Sequence, residues 1–502
     1  MFKKKNIKGL ILFVIIALVL VGYSLRTTTS EYPTLITDDY NGLSLEQLNH
    51  YKIEVELDPE EKTYEGKQWI TYVNNTGVDL PEIYIHIYPN VFRQKKTAPF
   101  LFDSFDRAYP NGFNPGFINI NKAKVGNKEV PFNIEGKGQT ILHIKFDSLL
   151  KEGDSTKIYL EYNVKLPPVR DRFGYGDKTI NLGNWYPIVC VYDEDGWNKD
   201  PYYNIGDPFY SDISNYDVKI ITPKEMIVAS SGNILKEKTR GSKKIWEIEG
   251  KLIRDFAWVA SRDFTTMEGE VEGTQIKMYF LEEDPSIKEF AFKVTKDTLE
   301  TFNRIFGKYP YGQYSVVENN FPSGMEYPGL VFIGEEYYDN IFKDYLEKVI
   351  VHETAHQWWY GVVGNDEIDE AWLDESLATY SETIYIGEVY GEAKGEENYY
   401  EDVESSYEYV KSICDFEEVP LKPLNYFDNW NDYGALAYHR GAMFLNEIKD
   451  EFGKEVLYDI LNKYYHEYSF YNAKTENFIN VCEEVTGTDF EEKVNKWLYG
   501  KE

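Results

Sequence analysis

Two histidines one helical turn apart, His352 and His356, enclose Glu353 in the run His352-Glu353-Thr354-Ala355-His356, and Glu375 follows nineteen positions after the second. The spacing suits one kind of backbone. Residues four apart on an α-helix share a face, so both imidazoles can reach one ion while Glu353 stands beside it. A third, oxygen ligand from Glu375 would complete a three-ligand set. Such a set leaves a coordination position open, as catalytic zinc sites require and closed structural sites do not. Random placement of 7 histidines in 502 residues gives about 0.1 pairs at this spacing, and about 0.01 once a Glu must follow the first. The motif therefore predicts two packed helices carrying a hydrolytic zinc site, with Glu353 as base.

The flanks agree. Asp344 to Val351 reads as a helical lead-in, with no Gly or Pro before Gly361. Glu370 to Tyr390 reads as a second helix, with Leu373, Leu377, Tyr380 and Ile384 at helical spacing. Those apolar residues are expected in the core, where they would hold Glu375 against the first helix.

A chain of 502 residues exceeds one typical core, so several domains are expected. Aromatic content of 16% argues for large buried clusters, and a net charge of -32 excludes nucleic acid as a natural partner. Residues 1–26 read as a targeting segment: Lys3, Lys4, Lys5 and Lys8 precede an uncharged run from Gly9 to Leu25. An uncleaved signal anchor in the cell membrane, with the remainder outside the cytoplasm, is the expectation; secretion after signal cleavage is the alternative. Cys190, Cys414 and Cys482 are too few and too scattered for a disulfide framework.

Residues 27–45 read as a polar linker. From 46 to 265, period-two runs such as Tyr51–Leu57, Ile83–Ile87, Ile158–Tyr162 and Tyr216–Thr222 alternate with Gly, Pro, Asn and Asp clusters, predicting an antiparallel β domain. His50, His86 and His143 fall there and are expected to be ordinary strand residues. From 266 to 502 the pattern turns mostly helical after a β segment near Gln313–Val317.

Three further segments give the chain a specific resemblance. Pro322-Ser323-Gly324-Met325-Glu326-Tyr327 is similar to the G-x-M-E-N signature of the aminopeptidase N family of gluzincins, which includes the leukotriene hydrolase and aminopeptidase B. Trp372-Leu373-Asp374-Glu375-Ser376-Leu377-Ala378 resembles that family's W-L-N-E-G-F-A, and Tyr438-His439-Arg440-Gly441 its Y-x-K-G. The order, β domain then zinc domain, also matches.

The resemblance implies a saddle-like β domain followed by a thermolysin-like, mostly helical catalytic domain, in a short bacterial-type member without the family's C-terminal helical domain. It implies one zinc ion per chain on His352, His356 and Glu375, with Glu353 as general base. Tyr438 would be the oxyanion donor, with Tyr433 as fallback, and Gly324, Met325 and Glu326 would bind substrate, Glu326 by holding the α-ammonium. The implied partners are peptides with a free N-terminus. Departures stand at Ser323, Tyr327, Asp374, Ser376 and Leu377. No β-domain residue is evident for assisting amine binding, although Asp193, Glu194 and Asp195 lie in a plausible region. An endopeptidase or single-partner processing protease, and a non-catalytic binding platform, are the competing readings.

Overall fold

The computed structural model describes residues 27–102 and 104–501. Strand Asn49–Asp58 shows why the first half folds as a sheet: Tyr51, Ile53, Val55 and Leu57 are buried while Lys52, Glu56 and Asp58 face solvent. Period-two patterning of this kind admits one register, since a one-residue slip would expose the whole apolar set. Thr63–Val73, Ser155–Lys165 and Ser214–Pro223 alternate likewise. They join a nine-stranded sheet running Thr27–Thr29, Asn233–Arg240, Lys243–Ile253, Ser214–Pro223, Asn49–Asp58, Thr63–Val73, Ser155–Lys165, Phe117–Val125 and Lys128–Glu129. All its pairings are antiparallel except that between Ser214–Pro223 and Asn49–Asp58. Two four-stranded sheets pack with it in one continuous core. His50 pairs with Asp217, His143 with Glu82, and His86 stacks on Tyr88, all as strand residues.

A separate five-stranded sheet opens the second half, in the order Thr265–Val271, Thr274–Phe280, Gln313–Asn319, Leu330–Gly334, Gly324–Met325. Its edge is the short strand Gly324–Met325, antiparallel to Leu330–Gly334, so the segment singled out by sequence forms a sheet margin. Helix α1 (Pro285–Ile305) starts at Asp284, whose carboxylate accepts the Ser286 N–H, with Pro285 as its first residue. Helix α2 (Lys343–Ala355) and helix α3 (Trp372–Tyr390) pack against each other. Leu373, Leu377, Tyr380 and Ile384 of α3 are all buried, as their spacing requires.

Residues 27–45 touch both halves. Thr27–Thr29 pairs with Lys236–Lys238, Leu35 bridges Tyr311, and the Asn41 side chain donates to the carbonyls of Glu467 and Ser469. The single-pass membrane placement expected from the sequence is corrected: among the described residues no helix is long and apolar enough to cross a membrane. The apolar run on which that expectation rested, residues 9–25, lies outside the described residues.

Candidate active site

Helix α2 brings its last turn to the centre. His352 lies inside it and His356 caps it, still in helical conformation, so the two Nε2 atoms stand 3.1 Å apart. Glu375, in the first turn of α3, sets its Oε2 3.4 Å from His352 Nε2 and 3.3 Å from His356 Nε2. A point equidistant from these three atoms is about 1.9 Å from each, close to zinc–ligand distances of about 2.0–2.2 Å. Both imidazoles are held from behind: His352 Nδ1 meets Glu382 Oε1 at 2.8 Å, and His356 Nδ1 meets the Trp359 carbonyl at 3.0 Å. Donation from Nδ1 leaves each Nε2 lone pair free for an ion. Glu375 Oε2 is buried without a hydrogen-bond donor, as a ligand oxygen would be.

The electrostatics ask for a cation. Burial pushes both imidazoles down, yet Glu375 and Glu382 hold His352 well above its ordinary value, and Glu326 with Glu375 holds His356 at about 10. Burial likewise pushes Glu375 up, and the two imidazoles more than reverse it, to about 2. Protons on the imidazoles are what the protein alone can supply; a divalent ion satisfies the same three atoms. His352, His356 and Glu375 therefore fit zinc.

Around the centre stand the other residues singled out by sequence. Glu353 is buried, with Oε2 unpartnered, and burial pushes its carboxyl up to about 7 against the pull of both imidazoles. Gly324 packs directly on it, since a Cβ there would lie 1.9 Å from Glu353 Oε1. Glu326 is 4% exposed, with Oε1 unpartnered. Its backbone is pinned from the turn after α2: the Gln357 amide donates to the Glu326 and Tyr327 carbonyls, and its oxygen accepts the Gly329 N–H at 2.7 Å. Tyr438 donates to Glu375 Oε1 at 2.5 Å and stacks on His352. Burial, then Glu375, pushes its phenol well up, so it remains a donor. Tyr433 reaches the same oxygen at 3.4 Å.

The departures acquire reasons. Tyr438 lies in a π-helical turn, Gly434–Arg440, and such turns often shape functional sites. Ser376 donates to the Ala437 carbonyl at 2.5 Å, tying α3 to that turn. The contact needs Gly441, where a Cβ would fall 1.9 Å from Ser376 Oγ. Tyr327 points away from the centre; its hydroxyl donates to Asn184 Oδ1 at 2.8 Å, and Asn184 in turn donates to Asp255. This residue docks the two halves together. Arg440 also turns away, to Glu418 and the carbonyls of Lys496 and Trp497.

Sequence reasoning missed several groups. Glu382 lies seven residues after Glu375, two turns along the same face of α3, a spacing that could have revealed it. Asp374 lies 3.9 Å from His356 Nδ1 and accepts from Asn365. Asp207, from an irregular β-domain segment, is buried and feels the charges of Glu375 and His356; Glu326 in turn feels Asp207. Of the acids near Asp193, Glu194 pairs with Lys474 at the surface.

Residues 290–497 match the family model described as Peptidase family M1 domain. Aminopeptidase 2 of Candida albicans is 23% identical over 411 residues, covering 76% of this chain and 42% of that protein. Aminopeptidase 2, mitochondrial, of Saccharomyces cerevisiae is 26% identical over 307 residues, covering 58% of this chain and 30% of that protein. The chain thus spans less than half the length of these curated relatives. In fold, the M1 zinc metallopeptidase of Deinococcus radiodurans superposes with TM-score 0.66 at 17% identity, over 90% of this chain and 94% of that one. A variant of that enzyme solved with a Tyr-ser-ala substrate gives TM-score 0.63 at 16% identity, over 91% and 94%.

Proposed function

We propose that this chain belongs to the M1 zinc metallopeptidase family and is an aminopeptidase that removes N-terminal residues from peptides. One observation carries the reading. Glu326 is a buried carboxyl with an unpartnered oxygen beside His356 and Glu353, burial and Asp207 push it well above its ordinary value, and among the described residues no Lys or Arg pairs with it. An α-ammonium group supplies that charge, and a fixed negative end to the cleft places the first peptide bond at the centre. Asp207 adds a second carboxylate from the β domain, on the Glu326 side. Aminopeptidase names among the relatives and the tripeptide bound to the Deinococcus radiodurans enzyme support the same substrate class.

His352, His356 and Glu375 would hold zinc, which supplies Lewis-acid polarisation and a more acidic water. Glu326 and Asp207 fix the ammonium and so the register of the scissile bond. Glu353, with an affinity for protons near neutrality, takes the proton of the attacking water and returns it to the leaving amine. Tyr438, kept protonated, moves its hydroxyl from Glu375 to the oxygen that gains charge. The chain with its metal should cleave a free-amine peptide and spare the N-acetylated twin. Efficient cleavage of the blocked peptide would overturn the aminopeptidase reading and favour an endopeptidase.

A further inference from the structure

Arg172 is a fully charged group in an unexpected place. It is buried between the rings of Phe209 and Phe321, at 5.6 and 5.5 Å, and its guanidinium is nearly used up by partners. Nε donates to Met325 Sδ at 2.9 Å, Nη1 to the Tyr202 hydroxyl at 3.3 Å, and Nη2 to the Gly206 carbonyl at 3.2 Å and to Asp207 Oδ1 at 2.5 Å. One planar fork therefore grips both sides of the domain junction. Met325 belongs to the edge strand whose next residue is Glu326; Gly206 and Asp207 belong to the β domain.

Stability does not explain this arrangement. A buried ion pair brings little net stability, because desolvation of both charges offsets their attraction, and apolar residues of similar size often do as well. The rings of Phe209 and Phe321 would accept an apolar neighbour. What an apolar residue could not do is hold Met325 and Asp207 at a fixed separation while balancing one of the acids gathered there. Asp207, Glu326, Glu353 and Glu375 feel one another's charge, and Arg172 is the cation that pairs with Asp207.

We propose that Arg172 is the positioning residue of the amine site: by binding Met325 and Asp207 with one guanidinium, it sets the spacing between Glu326 and Asp207 that an α-ammonium group requires. This rests on the aminopeptidase reading above. Arg172 touches neither substrate nor metal ligands; it acts through the two acids.

The test compares two inhibitors of the zinc-loaded full chain, leucine hydroxamate and 4-methylpentanohydroxamate, which differ only in the α-amine. Arg172→Met should weaken leucine hydroxamate about tenfold and raise KM for an aminoacyl p-nitroanilide by a similar factor, with kcat changed by less than about threefold. The des-amino inhibitor should bind as it does to the unaltered chain. Arg172→Lys keeps a cation but not the fork, so it should lie between the two; it carries the same comparison where the Met variant does not fold. Parallel weakening of both inhibitors, or of neither, would overturn the proposal. If the unaltered chain itself does not distinguish the two inhibitors, the aminopeptidase reading fails instead.

Discussion

Gly324→Ala offers the most direct test of the base assignment, because the perturbation is a single methyl group and the structure says where it goes. Its Cβ would lie 1.9 Å from Glu353 Oε1, 2.3 Å from Cδ and 2.5 Å from Cγ, while real Cβ atoms essentially never approach closer than 3.0 Å. The carboxylate must therefore retreat by at least about 1.1 Å. It has little room: Glu353 is buried, and Gly324 is fixed by pairing with Ile333. A displacement of about 1 Å in a catalytic group costs on the order of 10²-fold in rate, or about 2.7 kcal/mol of transition-state stabilisation. Since Glu326 is pinned independently by Gln357, amine binding should survive. The expected result is a fall in kcat of about 10² with KM little changed. Steady-state kinetics on an aminoacyl p-nitroanilide would show it, with metal content measured on the same sample. A variant that retains its zinc and turns over within about threefold of the unaltered chain would refute the placement of Glu353 as base.

Three other perturbations have defined outcomes. Tyr438→Phe should lower kcat by about 10²–10³ while zinc is retained, and a loss below about fivefold would remove Tyr438 as the oxyanion donor. Glu382→Ala takes away the partner of His352 Nδ1 and should weaken zinc binding by about 10–100-fold in a metal-buffered titration; unchanged affinity would show the contact to be incidental. Glu318 is buried on strand Gln313–Asn319, and burial pushes its carboxyl up to about 7 although it accepts the Leu281 and Glu282 N–H groups. The unfolded chain ionises first, so stability from this group is full below about pH 4.5 and is lost as pH rises through about 7. Glu318→Gln should therefore match the unaltered chain near pH 4.5 in urea unfolding and exceed it at pH 8 by up to about 3 kcal/mol; an equal difference at both pH values would contradict the burial argument.

What was legible in the sequence is what short-range periodicity encodes. His352, Glu353 and His356 share one turn, α3 announces itself by four apolar residues at helical spacing, and the strands of the β domain alternate cleanly. Glu375 is legible from its place nineteen positions after His356, and Tyr438 because the short run around it resembles a family pattern. Asp207 and Arg172 left no such trace, since each lies more than a hundred residues before the zinc helix in irregular chain or at a strand margin. Only the folded sheet carries them to Met325 and Glu326. Tyr327 was similarly opaque: its value lies in reaching Asn184, a partner 143 positions earlier.

The residues that leave no local trace in the sequence lie apart from the zinc centre itself. The proposed metal ligands and base come from consecutive helices of one domain, so they form a local unit that any zinc hydrolase could use. In the proposed reaction, recognition of the amine would be assembled across the junction, with Glu326 on the catalytic side and Asp207 and Arg172 on the β side. A small change in how the two halves dock should therefore alter which N-termini are accepted before it alters bond cleavage. Tyr327 bears on that docking directly. Its hydroxyl joins the Asn184–Asp255 network, and its backbone follows Glu326, so loss of the hydroxyl should loosen the junction one residue from the proposed amine anchor. Substituting Phe at 327 should thus raise KM for free-amine substrates more than it lowers kcat, and a selective loss of kcat would show that the junction serves the reaction centre rather than the amine site.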